Sequence, residues 1–237
     1  MRALAIIPAF NEADAIGKVV DEVLAFDPGL DVLVVDDASH DGTRERARQH
    51  GARVLRLPFN LGIGGAVQAG FRYAALKGYD VVVRVDGDGQ HDPAELGPLM
   101  AVVLSGRADI CVGSRFAEGE GYRSSATRRI GIRVLASTVS LLTRQRVTDT
   151  TSGFQVLNRK AILLFAQDYP HDYPEVEAAV MMHKHRLRLL ELPVRMRERA
   201  AGKSSIRGAH TVYYMAKVML AILIGALRRK ATPLEEQ

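Results

Sequence analysis

The sequence predicts an α/β protein built on a mostly parallel central sheet flanked by helices, with a C-terminal helical appendage. Three observations predict it: short runs rich in Val, Ile and Leu recur through the first half, helical patterning fills most intervals between them, and acidic, amide and glycine residues gather where the runs end. Near-continuous apolar strands are what a parallel sheet covered on both faces requires. Such sheets bind ligands beyond the carboxyl ends of their strands.

The first run, "RALAIIP", ends near Asn11-Glu12, and Glu12–Ala25 carries helical spacing. "DVLVVDD" closes on Asp36-Asp37 and leads to a helix over Asp41–His50. "ARVLRLP" is followed by a helix over Gly64–Lys77, and "DVVVRVD" runs into Asp86-Gly87-Asp88 before a helix over Pro93–Leu104. "DICVGSR" closes on Gly113-Ser114-Arg115. Beyond it, "EGEGYRSS" reads as a loop, Thr127–Leu142 as a basic helix, "SGFQVLN" as a strand and Tyr173–Lys184 as a helix. "RLRLLELPVRM" reads as a strand pair and Ala209–Lys230 as a long helix. No repeat, low-complexity segment or clear linker divides the chain, so the second half reads as an elaboration of the same domain.

The 237 residues suit one sizeable domain, with ordinary apolar and charged fractions. The single cysteine, Cys111, has no intramolecular partner and fits a reducing compartment; within "ADICVGSRF" it reads as a buried strand thiol. "MRALAIIPAFNE" is not a signal peptide, because Asn11-Glu12 cuts its apolar run short. No stretch reaches the roughly 20 apolar residues that span a bilayer. The net charge of +5 is unevenly placed, with six arginines between Arg123 and Arg146 and a second basic run from Arg186 to Arg207. That asymmetry points to an anionic partner for the second half. The 6% aromatic content and the lack of a stacking motif favour phosphate on a lipid or nucleotide over nucleic acid.

In "VVVRVDGDGQHDP" a strand built for burial ends in three aspartates within seven residues. Asp86 and Asp88, at i and i+2 around Gly87, bring two hard oxygen ligands close enough to hold one Mg2+ or Mn2+. Gln90 offers a neutral carbonyl oxygen, and positions left open suit the oxygens of a diphosphate. Asp92 precedes Pro93 and reads as a helix cap. An EF-hand loop fails, because His91 and Gly97 stand where that loop needs Gly and Glu. Asp36-Asp37 suits either a ribose or base contact or a turn, with Ser39 or Asp41 as cap. Glu12 suits either a ligand or a helix-dipole partner.

"IIPAFNE", "VVDDAS", "NLGIGGAVQAGF", "RVDGDGQHDP", "VGSRF", "DTTSGFQVLNR" and "RERAAGKSSI" occur in the order found in family 2 glycosyltransferases. The chain resembles the dolichyl- or polyprenyl-phosphate mannose synthase-like group from about Ala3 to Ile206. The resemblance implies a GT-A fold over residues 1–207, with 1–115 as the nucleotide-sugar half, 116–207 as the acceptor half and 208–237 as a helix and tail. It implies inversion at the anomeric carbon and a nucleoside-diphosphate sugar donor. Pro8, Phe10, Glu12 and Asp37 would line the base and ribose pocket, and Asp86, Asp88 and Gln90 would hold the metal, with Gly87 between them. Arg115 would lie near sugar or phosphate. "NLGIGGAVQAG" does not match a dinucleotide fingerprint, since Val67 takes the third glycine position.

On the acceptor side, Asp149 in "TDTTSGF" falls where similar enzymes carry an Asp before Ser-Gly-Phe. It suits either a turn cap or, for a sugar hydroxyl acceptor, a general base. A phosphate acceptor is already anionic and needs no strong base; cations would hold it instead, and Arg128, Arg129, Arg133, Arg199 and Lys203 are the candidates. Two departures stand out. Ser205 occupies the lysine position of R-x-x-G-x-S-K, with Lys203 two residues earlier, and Thr150 replaces the proline of D-P-x-S-G. A sugar-nucleotide pyrophosphorylase is disfavoured, because "PAFNEADAIG" stands where such enzymes ordinarily carry a Gly-rich, Arg-containing loop. A nucleotide-sugar-binding protein with weakened catalysis is the non-enzymatic alternative.

"TVYYMAKVMLAILIGALRRK" is apolar around most of its circumference between Val218 and Leu227. It suits a helix lying in a membrane interface, with Arg228, Arg229 and Lys230 near anionic headgroups, or one packed on its own domain or on its twin in a homodimer. The expected location is cytoplasmic, peripheral on the inner face of a membrane.

Overall fold

The computed structural model describes residues 1–116, 126–143, 145, 147–149, 151–170, 174–197, 217 and 220. Seven strands form one sheet: β1 (Ala3–Ala9), β2 (Asp31–Asp36), β3 (Arg53–Arg56), β4 (Val81–Arg84), β5 (Ile110–Ser114), β6 (Gln155–Asn158) and β7 (Leu189–Pro193). Their order is β3-β2-β1-β4-β6-β5-β7. β1, β2, β3 and β4 pair in parallel and β5 pairs in parallel with β7, while β6 lies antiparallel to β4 and β5. The expected mostly parallel sheet is therefore present, with β6 inserted against its direction.

Alternation along each strand divides the core in two. Leu4, Ile6, Leu33, Val35 and Val82 belong to one apolar cluster, whereas Ala5, Ile7, Val32, Val34, Val81 and Val83 belong to the other. Helices α3 (Gly62–Leu76), α5 (Ala126–Thr143), α6 (Arg159–Gln167) and α7 (Pro174–Lys184) cover the first face. Helices α1 (Ile16–Phe26), α2 (Thr43–Gln49) and α4 (Leu96–Leu104) cover the second. Burial on both faces explains why the strands read as unbroken apolar runs. Cys111 lies in this core, and burial pushes its thiol up to about 12. It is a packing residue, as its sequence context implied.

Three elements differ from the sequence reading. Residues 159–167 carry no predicted element and form α6, where the Asn158 side chain accepts the Ala161 N–H at 3.1 Å and caps the first turn. "RLRLLELPVRM" yields one strand rather than a pair: β7 stops at Pro193, and Met196 makes only an isolated bridge to His91. The first helix begins at Ile16 because the Glu12 carbonyl accepts N–H groups from Ala15 and Ile16 in a preceding turn. Among the described residues, no helix is long and apolar enough to cross a membrane. The expected C-terminal helix over 209–230 lies outside the described residues, apart from Lys217 and Leu220.

Candidate active site

After β1 the chain lays β2 and β3 on one side and then returns to lay β4 on the other. This change of direction opens a crevice beyond the carboxyl ends of β1, β2 and β4. A cavity of about 460 Å³ fills it, a volume in the range of small-ligand sites. The end of β1 supplies Pro8, Ala9, Phe10 and Glu12, and the end of β2 supplies Asp37. Asn60, Gly62, Ile63 and Ala66 enter from the start of α3, and Asp86, Gly87 and Asp88 from the loop after β4. Glu12, Asp37, Asp86, Gly87 and Asp88, singled out by the sequence at three strand ends, thus line one cavity.

Backbone N–H groups fix the acidic wall. Asp37 Oδ1 accepts the Leu61 N–H at 2.7 Å and Oδ2 accepts the Gly62 N–H at 2.9 Å, fastening the entry of α3 to the end of β2. Each carboxylate oxygen has a second lone pair, so this bracing leaves capacity for a ligand hydroxyl. The neighbouring Asp36 is turned away and accepts the Ser39 N–H at 2.9 Å. Asp41 caps the entry to α2 through the Thr43 N–H at 2.9 Å. The Glu12 N–H donates to Thr43 Oγ1 at 2.9 Å, which ties β1 to the same helix. Phe10 gives the cavity a partly exposed apolar edge and meets the His40 ring edge-on.

The three aspartates after β4 divide. Asp92 Oδ1 accepts the Ala94 N–H at 3.1 Å and pairs with Arg197, so it is the expected cap. Asp88 Oδ1 accepts the Gln90 N–H at 3.0 Å. The Gln90 carbonyl accepts the Arg197 N–H at 2.9 Å, and Gln90 is not among the residues lining the cavity. The Asp86 N–H donates to His91 Nδ1 at 3.0 Å, which leaves the proton of a neutral ring on Nε2, 3.7 Å from Asp86 Oδ2. Burial alone would raise the Asp86 carboxyl, but the positive charges facing it, the Arg84 and Arg115 guanidiniums among them, outweigh it and hold the group below its ordinary range. Burial lowers His91.

Close packing enforces this geometry. A Cβ on Gly87 would sit 3.1 Å from the Pro8 carbonyl oxygen, and one on Gly153 would sit 2.7 and 2.8 Å from the two oxygens of Asp86. Arg84, 1% exposed in β4, reaches Glu175 Oε1 of α7 at 2.8 Å, Asp86 Oδ1 at 3.5 Å and the Tyr169 hydroxyl at 3.3 Å. The sequence reading assigned no role to Arg84, Glu175 or Tyr169. The signal for them is an arginine inside an otherwise apolar strand, because a buried guanidinium needs carboxylate partners.

Asp86 and Asp88 fit a divalent cation. Among the described residues no cluster of three or more His, Cys, Asp or Glu forms a closed metal site. Two carboxylates on a cavity wall, Asp86 and Asp88, are a donor set that would suit an open site. Hard cations such as Mg2+ and Mn2+ complete such a shell with phosphate oxygens and water.

A second acidic group lies across the sheet, where Asp149 is fully buried against Arg115. Asp149 Oδ2 accepts Arg115 Nε at 2.8 Å, and Oδ1 accepts Nη2 at 2.9 Å, the Thr151 N–H at 3.1 Å and the Thr151 hydroxyl at 2.9 Å. Burial opposes ionisation, yet Arg115 outweighs it and lowers the Asp149 carboxyl. A carboxylate so enclosed orients its guanidinium; it is poorly disposed to take a proton from an incoming hydroxyl, the role weighed above. Glu191 of β7 accepts N–H groups from Thr148 and Asp149 at 2.8 and 3.1 Å, and burial raises its carboxyl. Arg128, Arg129 and Arg133 belong to α5, but their side chains lie outside the described residues, as do Arg199, Lys203 and Ser205.

Comparison with known proteins agrees with this architecture. The family model described as glycosyl transferase family 2 matches residues 4–164. Polyprenol monophosphomannose synthase of Mycolicibacterium smegmatis is 32% identical over 227 residues, covering 92% of this chain and 85% of that protein. Undecaprenyl-phosphate mannosyltransferase of Micrococcus luteus is 34% identical over 217 residues, covering 88% of each. Among solved structures, glucosyl-3-phosphoglycerate synthase from Mycobacterium tuberculosis, in complex with Mn2+, uridine-diphosphate-glucose and phosphoglyceric acid, superposes with a TM-score of 0.72. That match is 21% identical and covers 97% of this chain and 81% of that one. The same synthase with Mg2+ and uridine-diphosphate gives 0.74 at 21% identity, covering 97% and 81%. At that identity the likeness concerns the fold, and it bears out the expected GT-A architecture.

Proposed function

Because this chain belongs to glycosyl transferase family 2, we propose that it moves a sugar, with inversion, from a nucleoside-diphosphate sugar to the phosphate of a polyprenyl phosphate. The observation that carries the donor half is the cavity that unites Phe10, Glu12 and Asp37 with Asp86 and Asp88. In this reading Pro8, Phe10, Glu12 and Asp37 bind the base and ribose, and Asp86 and Asp88 hold a divalent cation against the diphosphate. When bound, that cation would supply electrostatic stabilisation of the departing diphosphate.

The enclosure of Asp149 supports the acceptor half of this reading. An acceptor phosphate oxygen is anionic from the start, so it attacks the anomeric carbon without giving up a proton, and the bond from that carbon to the diphosphate oxygen breaks. Such a reaction asks for positioned cations rather than a base. Asp149 meets that demand by holding Arg115 at 2.8 and 2.9 Å with its side chain fully buried. The names of the two mannosyl-transferring relatives support the same acceptor class. Arg128, Arg129, Arg133, Arg199, Lys203 and Ser205 are proposed for the lipid phosphate, and the C-terminal segment for contact with the cytoplasmic face of a membrane.

A donor screen tests this reading. Radiolabelled UDP- and GDP-sugars are incubated with polyprenyl phosphate and Mn2+, and sugar in the organic phase is counted. The expected outcome is lipid-linked label with one donor, abolished by EDTA and restored by Mn2+. Transfer to a soluble sugar with none to lipid would overturn the acceptor assignment.

A further inference from the structure

We infer that Glu175, a residue outside the cavity, is a positioning residue that draws the buried Arg84 away from Asp86 and so keeps Asp86 available to the donor's cation. This rests on the proposed metal-assisted donor site. Two carboxylates compete for one guanidinium nitrogen, and the distances rank them: Arg84 Nη2 lies 2.8 Å from Glu175 Oε1 and 3.5 Å from Asp86 Oδ1. Arg84 is 1% exposed at its side chain, against 19% for Glu175 and 32% for Asp86. Water therefore cannot take Glu175's place in satisfying the guanidinium. Among the described residues, Nη1 is directed to the Tyr169 hydroxyl at 3.3 Å, Nε has no hydrogen-bond partner, and Arg84 pairs with no third carboxylate.

Geometry makes the competition exclusive. Gly153 packs so closely that a Cβ there would meet Asp86 Oδ1 at 2.7 Å and Arg84 Nη2 at 2.9 Å, so the two groups are held side by side with no side chain between them. Neutralising Glu175 leaves Asp86 as the one full negative charge within reach of Arg84 Nη2 among the described residues. The guanidinium then closes on Asp86, and a cation approaching Asp86 meets a carboxylate already engaged. Glu175 opens α7, in the segment that follows β6 and α6, so the later part of the chain adjusts the donor site without entering it.

The test is Mn2+ binding, read from the free-ion paramagnetic resonance signal with UDP or GDP present. Glu175→Gln is expected to weaken Mn2+ binding about tenfold, the range seen when partners behind a metal ligand are altered. Glu175→Asp, which keeps the charge, is expected to recover most of the affinity. The double variant Arg84→Gln/Glu175→Gln removes both charges and should bind Mn2+ as the unaltered protein does. A role confined to packing predicts the reverse, with the double variant weaker than either single one. Unaltered Mn2+ affinity in Glu175→Gln, beside a weakened Asp88→Asn control, overturns this inference alone. Absence of Mn2+ binding by the unaltered protein overturns both it and the metal reading on which it stands.

Discussion

Asp37 and Asp88 in the cavity over β1, β2 and β4 and Asp149 in the cluster around Arg115 are held in opposite ways. In the cavity, Asp37 is fixed by the N–H groups of Leu61 and Gly62, and Asp88 by that of Gln90. Neutral donors orient a carboxylate without cancelling its charge, so this wall stays attractive to a cation or a hydroxyl from outside. At the cluster, Asp149 meets a full positive charge on Arg115 with its side chain 0% exposed. There the negative charge is consumed within the protein, and the product is an arginine held in one orientation. The first arrangement suits binding a ligand, and the second suits presenting a side chain.

The largest effect that separates the two regions is expected from Asp149→Asn. It leaves Arg115 buried without its anion, and breaking a buried pair in this way costs about 3–5 kcal/mol, read as a lower midpoint in urea unfolding. The pH dependence checks the cause. The folded Asp149 carboxyl is lowered, so its contribution is fully present above the unfolded carboxyl value and is lost as pH falls through the lower, folded one. The stability gap between the unaltered protein and the variant should be widest near neutrality and close only well below about pH 4. A gap independent of pH would show that the packing of Asp149, rather than its charge, is what the variant removes.

Asp88→Ala should do the converse, removing activity and sparing the fold. Loss of a ligand to the proposed cation is expected to lower turnover about a hundredfold or more, close to 3 kcal/mol at about 1.4 kcal/mol per factor of ten. Circular dichroism and the unfolding midpoint should stay near those of the unaltered protein, because the variant alters a loop side chain whose Oδ1 accepts a neighbouring loop N–H rather than a group of the core. Full turnover at low Mn2+ would remove Asp88 from the site and erase the contrast with Asp149.

The two regions also differ in how far the sequence reveals them. Asp86 and Asp88 stand out because a buried strand ends in charges that repel one another, and their separation of two residues is local information. The sheet direction was legible for the same reason, since unbroken apolar runs report burial on both faces. Contacts made across the fold leave no such trace. Arg84 and Glu175 are 91 residues apart, and Arg115 and Asp149 are 34 apart. The motif around Asp149 identifies an acidic residue near the acceptor side, but only its enclosure separates a positioning group from a base. Helix α6 was missed because "RKAILLFAQ" is a short apolar stretch directly after a strand, and periodicity alone cannot assign a run of that length.

The smallest expected effect concerns the third aspartate of the same loop and sharpens the division within it. Asp92 lies four residues beyond Asp88 in the sequence, yet its side chain accepts the Ala94 N–H at 3.1 Å and pairs with Arg197 at 3.1 Å. Removing a cap of this kind costs about 1 kcal/mol. The Arg197 pair, about one third exposed on both sides, adds little to that once solvent screening is counted. Asp92→Ala should therefore shift the urea midpoint slightly and leave Mn2+ affinity and turnover as they are. Calorimetric titration of Mn2+ into this variant, run beside Asp88→Ala, decides the matter. Equal loss of Mn2+ binding in the two would mean that the loop acts as one rigid acidic unit rather than as a cation clamp followed by a cap.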